Sequence, residues 1–455
     1  MKSTLVDTLR QESRRFGEVR IRLGRSSFVT SCRLPAIKTF DDSKILSVKS
    51  ASISVDAHIH GYDRVFWLAY LSNGLTTFAN GMLVRYADFV NVVGGDEQQL
   101  GLIVGCGMIG SIVFRIVQGE AVDRYGASRV WLWSTVFYTL SLLLHPLLTT
   151  AYGPGIFLTR TLMQASLAGV FGASITFISL RVSADRMAEI VGSLGTSGFL
   201  GLMLGPLCSD WLASGESCQR QSVEHLFLFA SSIAGASVFV TWLTTNRSVV
   251  PRHRRRPPLL KVVARYHPMM ILMAASVMGA GLSIPMTFLR PFAVEAKLSG
   301  VGIYFLVYAA TGFAARLASR SFFQRFGNRW MISVGLVLLS LSFLAYIPVT
   351  QTSQLVFPAA VAGVAHAFLF PSIMAAGTAV FPRRYLGVAT SLLLAMLDIG
   401  TLIAAPVVGA FLHLAKLRTP NAYPWMFATT AIVFALMTLV FFLRSTVRRS
   451  ALIEK

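Results

Sequence analysis

Twelve runs of mostly apolar residues, each long enough to cross a lipid bilayer, divide this chain from Arg64 onward. A membrane-spanning helix needs about 20 such residues. Only 13% of the residues are charged, whereas a soluble chain has about 25%, so lipid is the natural solvent for much of the surface. The sequence therefore predicts an all-α membrane protein with twelve transmembrane helices. We place the spans at 64–89, 99–120, 128–149, 154–180, 187–213 and 224–245, and then at 268–293, 300–322, 329–350, 355–380, 385–413 and 422–444.

The remaining segments predict how the chain is organised. Residues 1–62 are basic and lack a long apolar run. We interpret them as a disordered cytoplasmic tail; the alternatives are residues upstream of the true start and an arm that lies on anionic lipid. Residues 63–245 and 268–446 are expected to form two six-helix bundles, joined by an arginine-rich cytoplasmic linker at 246–267. Residues 447–455 are expected to form a second cytoplasmic tail.

Basic residues are distributed unevenly between the two sides of the predicted bundles. The loops after spans 2, 4, 6, 8 and 10 and the C-terminal tail are rich in arginine, whereas the opposite loops hold little beyond Arg220, Lys297, Lys416 and Arg418. Loops rich in lysine and arginine stay in the cytoplasm. We therefore predict a multi-pass protein of the cell inner (plasma) membrane with both termini cytoplasmic. The net charge of +21 is then a topology signal, and no nucleic-acid partner is expected.

The two halves of the chain resemble each other at an offset close to 201 residues. Two homologous six-helix halves are typical of secondary transporters, whose substrate site lies between the halves near the midplane. A duplicated membrane enzyme should also show catalytic residues, and the sequence offers no convincing nucleophile–base set or metal cluster, so we expect no enzyme, cofactor or metal. The matched residues are Arg85 and Arg290, Arg115 and Arg316, Arg124 and Arg325, Gly126 and Gly327, and Gly205-Pro206 and Ala405-Pro406.

Residues 64–446 resemble the major facilitator superfamily, most clearly in the loop after span 2. The loop is similar to the family's G-x3-D-R-x-G-R-R pattern, although Ala127 and Ser128 interrupt its basic end. The resemblance implies two pseudo-symmetric six-helix bundles and a cytoplasmic gate, because a carboxylate at one helix end can meet the positive end of another helix. The alternative is a turn signal without a gating role. The gate residues are Gly119, Asp123, Arg124, Gly126 and Arg129.

Span 5 resembles the antiporter signature of the same family. Glycines at its spacing allow two helices to approach closely, and a proline bends the helix. The final glycine pair of the signature is replaced here by Ser209 and Asp210. The resemblance implies an exporter, and the alternative is ordinary helix packing. The matching residues are Gly192, Gly201, Gly205 and Pro206.

Polar side chains inside the predicted spans are the candidates for a substrate cavity. A charged residue at the bilayer centre costs about 2.5–3.5 kcal/mol, so it should face a cavity or a partner. Arg160-x3-Gln164-x4-Gly169 resembles, imperfectly, the family's Arg-x2-Gln-Gly motif in span 4, and Gln164 and His366 occupy nearly equivalent places in the two repeats. The arginines at 115 and 316 have an equally plausible structural role. The candidates are Asn73, Arg115, Arg160, Gln164, Arg316 and His366.

Asp398 is the only acidic residue well inside the second half. Burial of a carboxylate favours its binding of a proton, so Asp398 is the first candidate for proton coupling and His366 the second; a structural aspartate is the alternative. Arg85 and Arg290 are expected at an outer mouth that attracts anions, or as interfacial anchors. The excess of intramembrane arginines suggests an anionic or zwitterionic ligand.

These features together predict a monomeric exporter of a small organic molecule, driven by proton antiport and working by alternating access in the lipid bilayer. A proton symporter or facilitator for an anionic metabolite is the alternative within transport. A non-transporting membrane sensor on the same scaffold is the alternative from another class, because a fold alone does not establish a function.

Overall fold

The computed structural model describes residues 62–182, 186–212, 219–246, 265–266, 268–318, 320–382, 385–419 and 421–453. Most of the predicted tail at 1–62 and of the linker at 246–267 lies outside these residues. Within them every regular element is a helix, and the twelve helices coincide with the twelve predicted spans, which confirms the fold class. The helix α12 continues to Ile453, into the segment that the sequence predicted as a tail.

The first helix, α1, is interrupted. It consists of a helix at Arg64–Met82, a 3-10 turn at Leu83–Arg85 and a short helix at Tyr86–Val92. The first half continues with α2 (Glu97–Tyr125), α3 (Ala127–Leu144), α4 (Pro154–Ser179), α5 (Met187–Leu212) and α6 (Arg220–Thr245). The second half contains α7 (Met269–Glu295), α8 (Gly302–Ala318), α9 (Arg320–Leu344), α10 (Val356–Thr378), α11 (Leu386–Lys416) and α12 (Ala422–Ile453).

Ten of the described helices are long and apolar enough to cross a membrane, and α8 is apolar but has only 17 residues. The remaining helix, α1, is more polar, and its hydroxyl groups bond to α6 inside the protein. Ser72 Oγ lies 2.6 Å from Thr241 Oγ1, and Thr76 Oγ1 lies 2.8 Å from Ser237 Oγ. All four side chains are buried. The polar face of α1 is therefore satisfied by protein and does not meet lipid.

The helices pack as two related sets. In the first half α1 packs against α5 and α6, α2 against α4, and α3 against α4 and α6. In the second half α7 packs against α11 and α12, α8 against α10, and α9 against α10 and α12. The halves meet where α2 packs against α11 and where α5 packs against α8. Adding six to each helix number turns one set of contacts into the other, so the two bundles are pseudo-symmetric.

The loop that resembles the family's gate occurs once in each half. Gly126 ends α2 with a φ of 86°, and Gly327 breaks α9 with a φ of 78°. Glycine adopts this left-handed conformation without steric cost. The guanidinium carbon of Arg124 lies 5.5 Å from the ring centroid of the next residue, and that of Arg325 lies 5.4 Å from the ring that follows it. The sequence repeat is thus also a repeat of backbone conformation and of side-chain packing.

Close packing between the halves is concentrated at the end of the molecule that contains Glu97, which we call the Glu97 end. The opposite end contains Arg124, and we call it the Arg124 end. A Cβ atom on Gly101 would lie 2.2 Å from the carbonyl oxygen of Ala405, and one on Gly409 would lie 2.5 Å from that of Glu97. Near the Arg124 end, Gly192 and Gly387 have no such neighbour within 4 Å. Helices α2 and α11 are therefore in contact at the Glu97 end, whereas Gly192 of α5 and Gly387 of α11 make no such contact near the Arg124 end.

Candidate functional site

A cavity with two lobes lies between the halves. The polar lobe, of about 320 Å³, is lined by α1, α2 and α4 from the first half and by α7 and α11 from the second. The aromatic lobe, of about 270 Å³, is lined mainly by α1, α5, α7, α8 and α10. Asn80, Leu282 and Met286 line both lobes, so the lobes adjoin. The volume and the position between the halves suit a small-molecule site.

An ion pair joins the halves in the polar lobe. Arg115 Nε of α2 donates a hydrogen bond of 2.6 Å to Asp398 Oδ2 of α11, and Ser111 Oγ donates to the same oxygen at 2.6 Å. Each charged side chain is 14% exposed. When Pro206 is aligned with Pro406, the α5 position equivalent to Asp398 is Gly198. The pair therefore breaks the symmetry between the halves.

Arg160 of α4 also lines the polar lobe, and it has no carboxylate partner among the described residues. It is buried, with its guanidinium carbon 4.2 Å from the ring centroid of Tyr86. Its Nη1 lies 3.9 Å from Met163 Sδ, and its Nε donates to no acceptor. A Cβ on Gly107 would come within 2.7 Å of the Arg160 side chain, so glycine at this position on α2 makes room for the arginine.

His366 of α10 lies in the aromatic lobe. One of its ring nitrogens is hydrogen-bonded to the hydroxyl group of Tyr308, and its ring centroid lies 5.8 Å from that of Phe199. Gln164, the residue that the repeat relates to His366, is buried and lines the polar lobe instead. The two predicted wall residues therefore belong to different lobes of one cavity.

Two of the six residues predicted for the cavity line neither lobe. Asn73 is buried between helices of the first half, where its Nδ2 donates to Ser174 Oγ at 3.1 Å. The guanidinium carbon of Arg316 lies 5.8 Å from the ring centroids of Phe199 and Phe370. The amide of α1 that does line the cavity is Asn80, which the sequence did not single out.

Arg85 and Arg290, predicted at an outer mouth, converge on Asp88 at the Glu97 end. Arg85 Nε lies 2.7 Å from Asp88 Oδ2, and Arg290 Nε lies 3.0 Å from the same oxygen. Arg85 also donates to the carbonyl oxygen of Ser209 at 3.3 Å. Arg85 and Asp88 are buried, and the Arg290 side chain is only 12% exposed. The cluster connects α1 and α5 of the first half to α7 of the second.

Further polar contacts join the halves at the same end. Lys416 Nζ lies 2.5 Å from Glu97 Oε1 and 2.9 Å from Glu295 Oε2. His413 Nδ1 lies 2.8 Å from Asp96 Oδ2. These contacts connect α2 and the residue before it with α11, and α11 with α7. They belong to a contact region that the sequence did not predict, because each pair unites residues that are distant along the chain.

Asp210, one of the two residues that replace the last glycines of the span 5 signature, caps a helix of the other half. Its Oδ2 accepts hydrogen bonds from the backbone N–H of Val301, at 2.7 Å, and of Gly302, at 2.6 Å. These N–H groups lie at the start of α8, where a helix carries unpaired donors and partial positive charge. The carboxylate therefore fastens α5 to α8 at the Glu97 end.

Alanine in place of Asp210 is expected to weaken this closure. Loss of an N-cap costs about 0.5–2 kcal/mol, which raises the ratio of molecules with an open Glu97 end to those with a closed one by roughly 2- to 30-fold. Spin labels at the exposed positions Tyr152 and Leu417, in a chain whose native cysteines are serines, would report the distance between the halves. Asp63→Ala is the matched control, because Asp63 caps α1 within the first half by accepting from the N–H of Phe66. An unchanged distance distribution in Asp210→Ala would contradict the assignment.

Two of the three glycines of the span 5 signature, Gly201 and Gly205, pack against α1 of their own half. A Cβ on Gly201 would meet Thr77 Oγ1 at 2.1 Å, and one on Gly205 would meet the carbonyl oxygen of Phe78 at 2.5 Å. Pro206 lies within α5, beside Gly81. Close helix packing is thus the local role of these two glycines.

The predicted gate residues lie at the Arg124 end. Gly119 and Asp123 belong to the last turns of α2, and Arg129 belongs to the first turn of α3. Arg124 and Arg129 are exposed and Asp123 is half-buried. The motif therefore lies at the end opposite the ion pairs that close the Glu97 end.

A family model described as Major Facilitator Superfamily matches residues 66–323 and 298–455. An uncharacterized MFS-type transporter of Methanocaldococcus jannaschii is 22% identical over 357 residues, which cover 73% of this chain and 88% of that protein.

Solved structures of transporters share the fold at low sequence identity. The crystal structure of the nucleoside transporter NupG has a TM-score of 0.70 and 15% identity, and the match covers 84% of this chain and 98% of that one. A bacterial homologue of the human lysosomal transporter Spinster, in an inward-facing and occupied conformation, has a TM-score of 0.66, 15% identity, and coverage of 84% and 96%. The peptide transporter POT in complex with sulfate has a TM-score of 0.70, 13% identity, and coverage of 85% and 95%.

Proposed function

Because this chain belongs to the Major Facilitator Superfamily, we propose that it exports a small organic molecule in exchange for protons. That it is a membrane transporter of this type follows from the family and the fold. The observation that carries the proposal is the Arg115–Asp398 pair, which lines the cavity and joins the halves at 2.6 Å. A proton on Asp398 removes the charge that holds Arg115, so proton binding and the contact between α2 and α11 depend on each other.

The proposed cycle is alternating access. With the basic loops in the cytoplasm, the Arg124 end faces inward and the closed Glu97 end faces outward. The structure then corresponds to the state that collects substrate from the cytoplasm. Opening outward requires the contacts of Asp88, Lys416 and Asp210 across the halves to break, while the motif around Asp123 closes the Arg124 end. The resemblance of span 5 to the antiporter signature supports export as the direction.

The same ion pair also supports a second candidate, proton symport of an anion. A proton on Asp398 would release Arg115 to bind an anionic group, so that the proton and the substrate would bind together. The two candidates differ in the direction in which protons move when substrate crosses the membrane. This difference gives a direct test.

Proteoliposomes that contain a pH dye should separate the candidates. Substrate is added outside at equal pH on both sides, and the interior pH is recorded together with the entry of labelled substrate. Antiport, the expected result, makes the interior more alkaline because protons leave as substrate enters. Symport makes the interior more acidic, and uptake without a change of pH indicates a facilitator. Binding without any uptake would overturn the transporter proposal in favour of a sensor.

A further inference from the structure

The charged residues that line the polar lobe leave one positive charge unbalanced. Arg115, Arg160 and Asp398 face the lobe. Arg115 and Asp398 neutralise each other at 2.6 Å. Arg160 has no carboxylate within salt-bridge distance among the described residues, whereas Arg85, Arg290 and Lys416 at the Glu97 end all have one. Arg160 is thus the unbalanced charge of the cavity.

The surroundings of Arg160 do not compensate its charge. Arg160 is 8% exposed. Its guanidinium carbon lies 4.2 Å from the ring centroid of Tyr86, and its Nη1 lies 3.9 Å from the sulfur of Met163. An aromatic face attracts a cation, but neither neighbour carries a negative charge, and the Nε has no acceptor. Removing a guanidinium from water without a counter-ion is costly. An anion in the polar lobe, which Arg160 lines, would supply the missing negative charge, because a guanidinium binds the oxygens of a carboxylate or phosphate in pairs.

The aromatic lobe is suited to the apolar part of a ligand whose anionic group lies in the polar lobe. Its wall contains Tyr304, Phe305 and Tyr308, and the rings of Tyr304 and Tyr308 stack with centroids 6.1 Å apart. The hydroxyl group of Tyr308 is hydrogen-bonded to Nδ1 of His366. This lobe therefore offers mainly apolar and aromatic surface. It adjoins the polar lobe at Asn80, Leu282 and Met286, so one ligand can reach both.

We propose that the substrate is an organic monoanion with an aromatic or apolar body, and that Arg160, rather than Arg115, binds its anionic group. The body occupies the aromatic lobe. The inference rests on the proposed transport function and names the substrate class of that cavity. The binding role belongs to Arg160 and not to the arginines that the sequence repeat matches with each other.

Binding of isosteric compounds to the purified full-length protein tests the charge requirement. The probes are three sets built on phenyl, naphthyl and indolyl bodies, each with an acetate, an acetamide and an ethylamine side chain. We expect the acids to bind at least about tenfold more tightly than the amides, since a hydrogen bond to a charged group contributes about 1.5–3 kcal/mol, and the amines to bind most weakly. Acetate alone should bind poorly because it lacks the body. If no acid binds, or if the amides or amines bind as tightly as the acids, the substrate class is overturned.

Two substitutions test which arginine is responsible. Arg160→Gln should reduce the preference for acid over amide to about onefold, and Arg160→Lys should restore part of it. The double variant Arg115→Gln/Asp398→Asn removes both members of the neutral pair and should retain the preference. Loss of the preference in the double variant, or its retention in Arg160→Gln, would overturn the assignment to Arg160. Affinity for the amides serves as the control for folding, because a purely structural role of Arg160 would alter amide and acid binding alike.

The same compounds distinguish failure of this inference from failure of the proposed function. If the acids bind through Arg160 but do not cross the membrane of proteoliposomes, the substrate class stands and transport is overturned. If a neutral or cationic probe is transported with proton movement and the acids are not, transport stands and the substrate class is overturned.

Discussion

Asparagine in place of Asp398 is expected to abolish the proton movement that accompanies substrate transport. The amide keeps the size of the side chain and can still accept a hydrogen bond from Ser111, but it cannot take up and release a proton. In proteoliposomes with an internal pH dye, the signal should fall to background while exchange of labelled for unlabelled substrate continues. Asp63→Asn, at the start of α1 and away from the cavity, should keep the full signal. An undiminished pH signal in Asp398→Asn would show that another group carries the proton.

Replacement of Arg115, the partner of Asp398, gives a second prediction, for the stability of the protein. Arg115→Gln leaves a mostly buried carboxylate without its cation, and breaking such a pair by removing one partner costs about 3–5 kcal/mol. The double variant Arg115→Gln/Asp398→Asn removes both charges and should recover most of the loss. Thermal unfolding in detergent measures the difference. A double variant as unstable as Arg115→Gln would show that the stranded charge is not the cause.

Leucine in place of Gly101 is expected to prevent closure of the Glu97 end. Even a Cβ at this position would come within 2.2 Å of the carbonyl oxygen of Ala405, on the facing helix of the other half. Overpacking costs about 1–3 kcal/mol, and here the cost falls only on the state in which α2 and α11 touch. The ratio of molecules with a closed Glu97 end to those with an open one should fall by roughly 5- to 150-fold, and transport should fall with it. Spin labels at Tyr152 and Leu417 should report the longer distance of an open Glu97 end.

The control for this substitution is Gly235→Leu. Gly235 lies in α6, and a Cβ there has no neighbour within 4 Å. Because α6 packs against helices of its own half, this variant should transport normally. If Gly101→Leu keeps normal transport and an unchanged distance distribution, the contact between α2 and α11 is not part of the cycle.

The course of the chain was predictable from sequence because helix formation in a membrane depends on local properties. A run of about 20 apolar residues must be helical to satisfy its own backbone, so the twelve spans could be placed from the apolar runs of the sequence. The turns at Gly126 and Gly327 could also be recognised in the sequence, because a short local motif determines them. Even α1, which is broken near Leu83 and rich in hydroxyl groups, begins at the predicted residue.

The arrangement of the cavity was harder to predict from the sequence, because it depends on the rotation and depth of each helix. Arg115 and Asp398 were each identified, but 283 residues separate them and their pairing requires α2 to face α11. Asn73 was chosen on α1, whereas Asn80, about two turns further on, is the amide that lines the cavity. The convergence of Arg85 and Arg290 on Asp88 was not predicted, because the two arginines come from different halves. Opposite charges at similar membrane depth were the one signal that could have suggested these pairs.

In the proposed cycle, the lone charge of Arg160 would make transport sensitive to membrane voltage. When the halves rock, the empty protein carries this charge through part of the electric field, whereas a bound monoanion would cancel it. A full crossing is worth about 2.3 kcal/mol per charge per 100 mV, and a partial crossing is worth a corresponding fraction. A potential that is negative inside therefore favours the empty protein with its cavity open to the cytoplasm. An exporter of anions would thus be returned electrically to the side on which it collects its cargo.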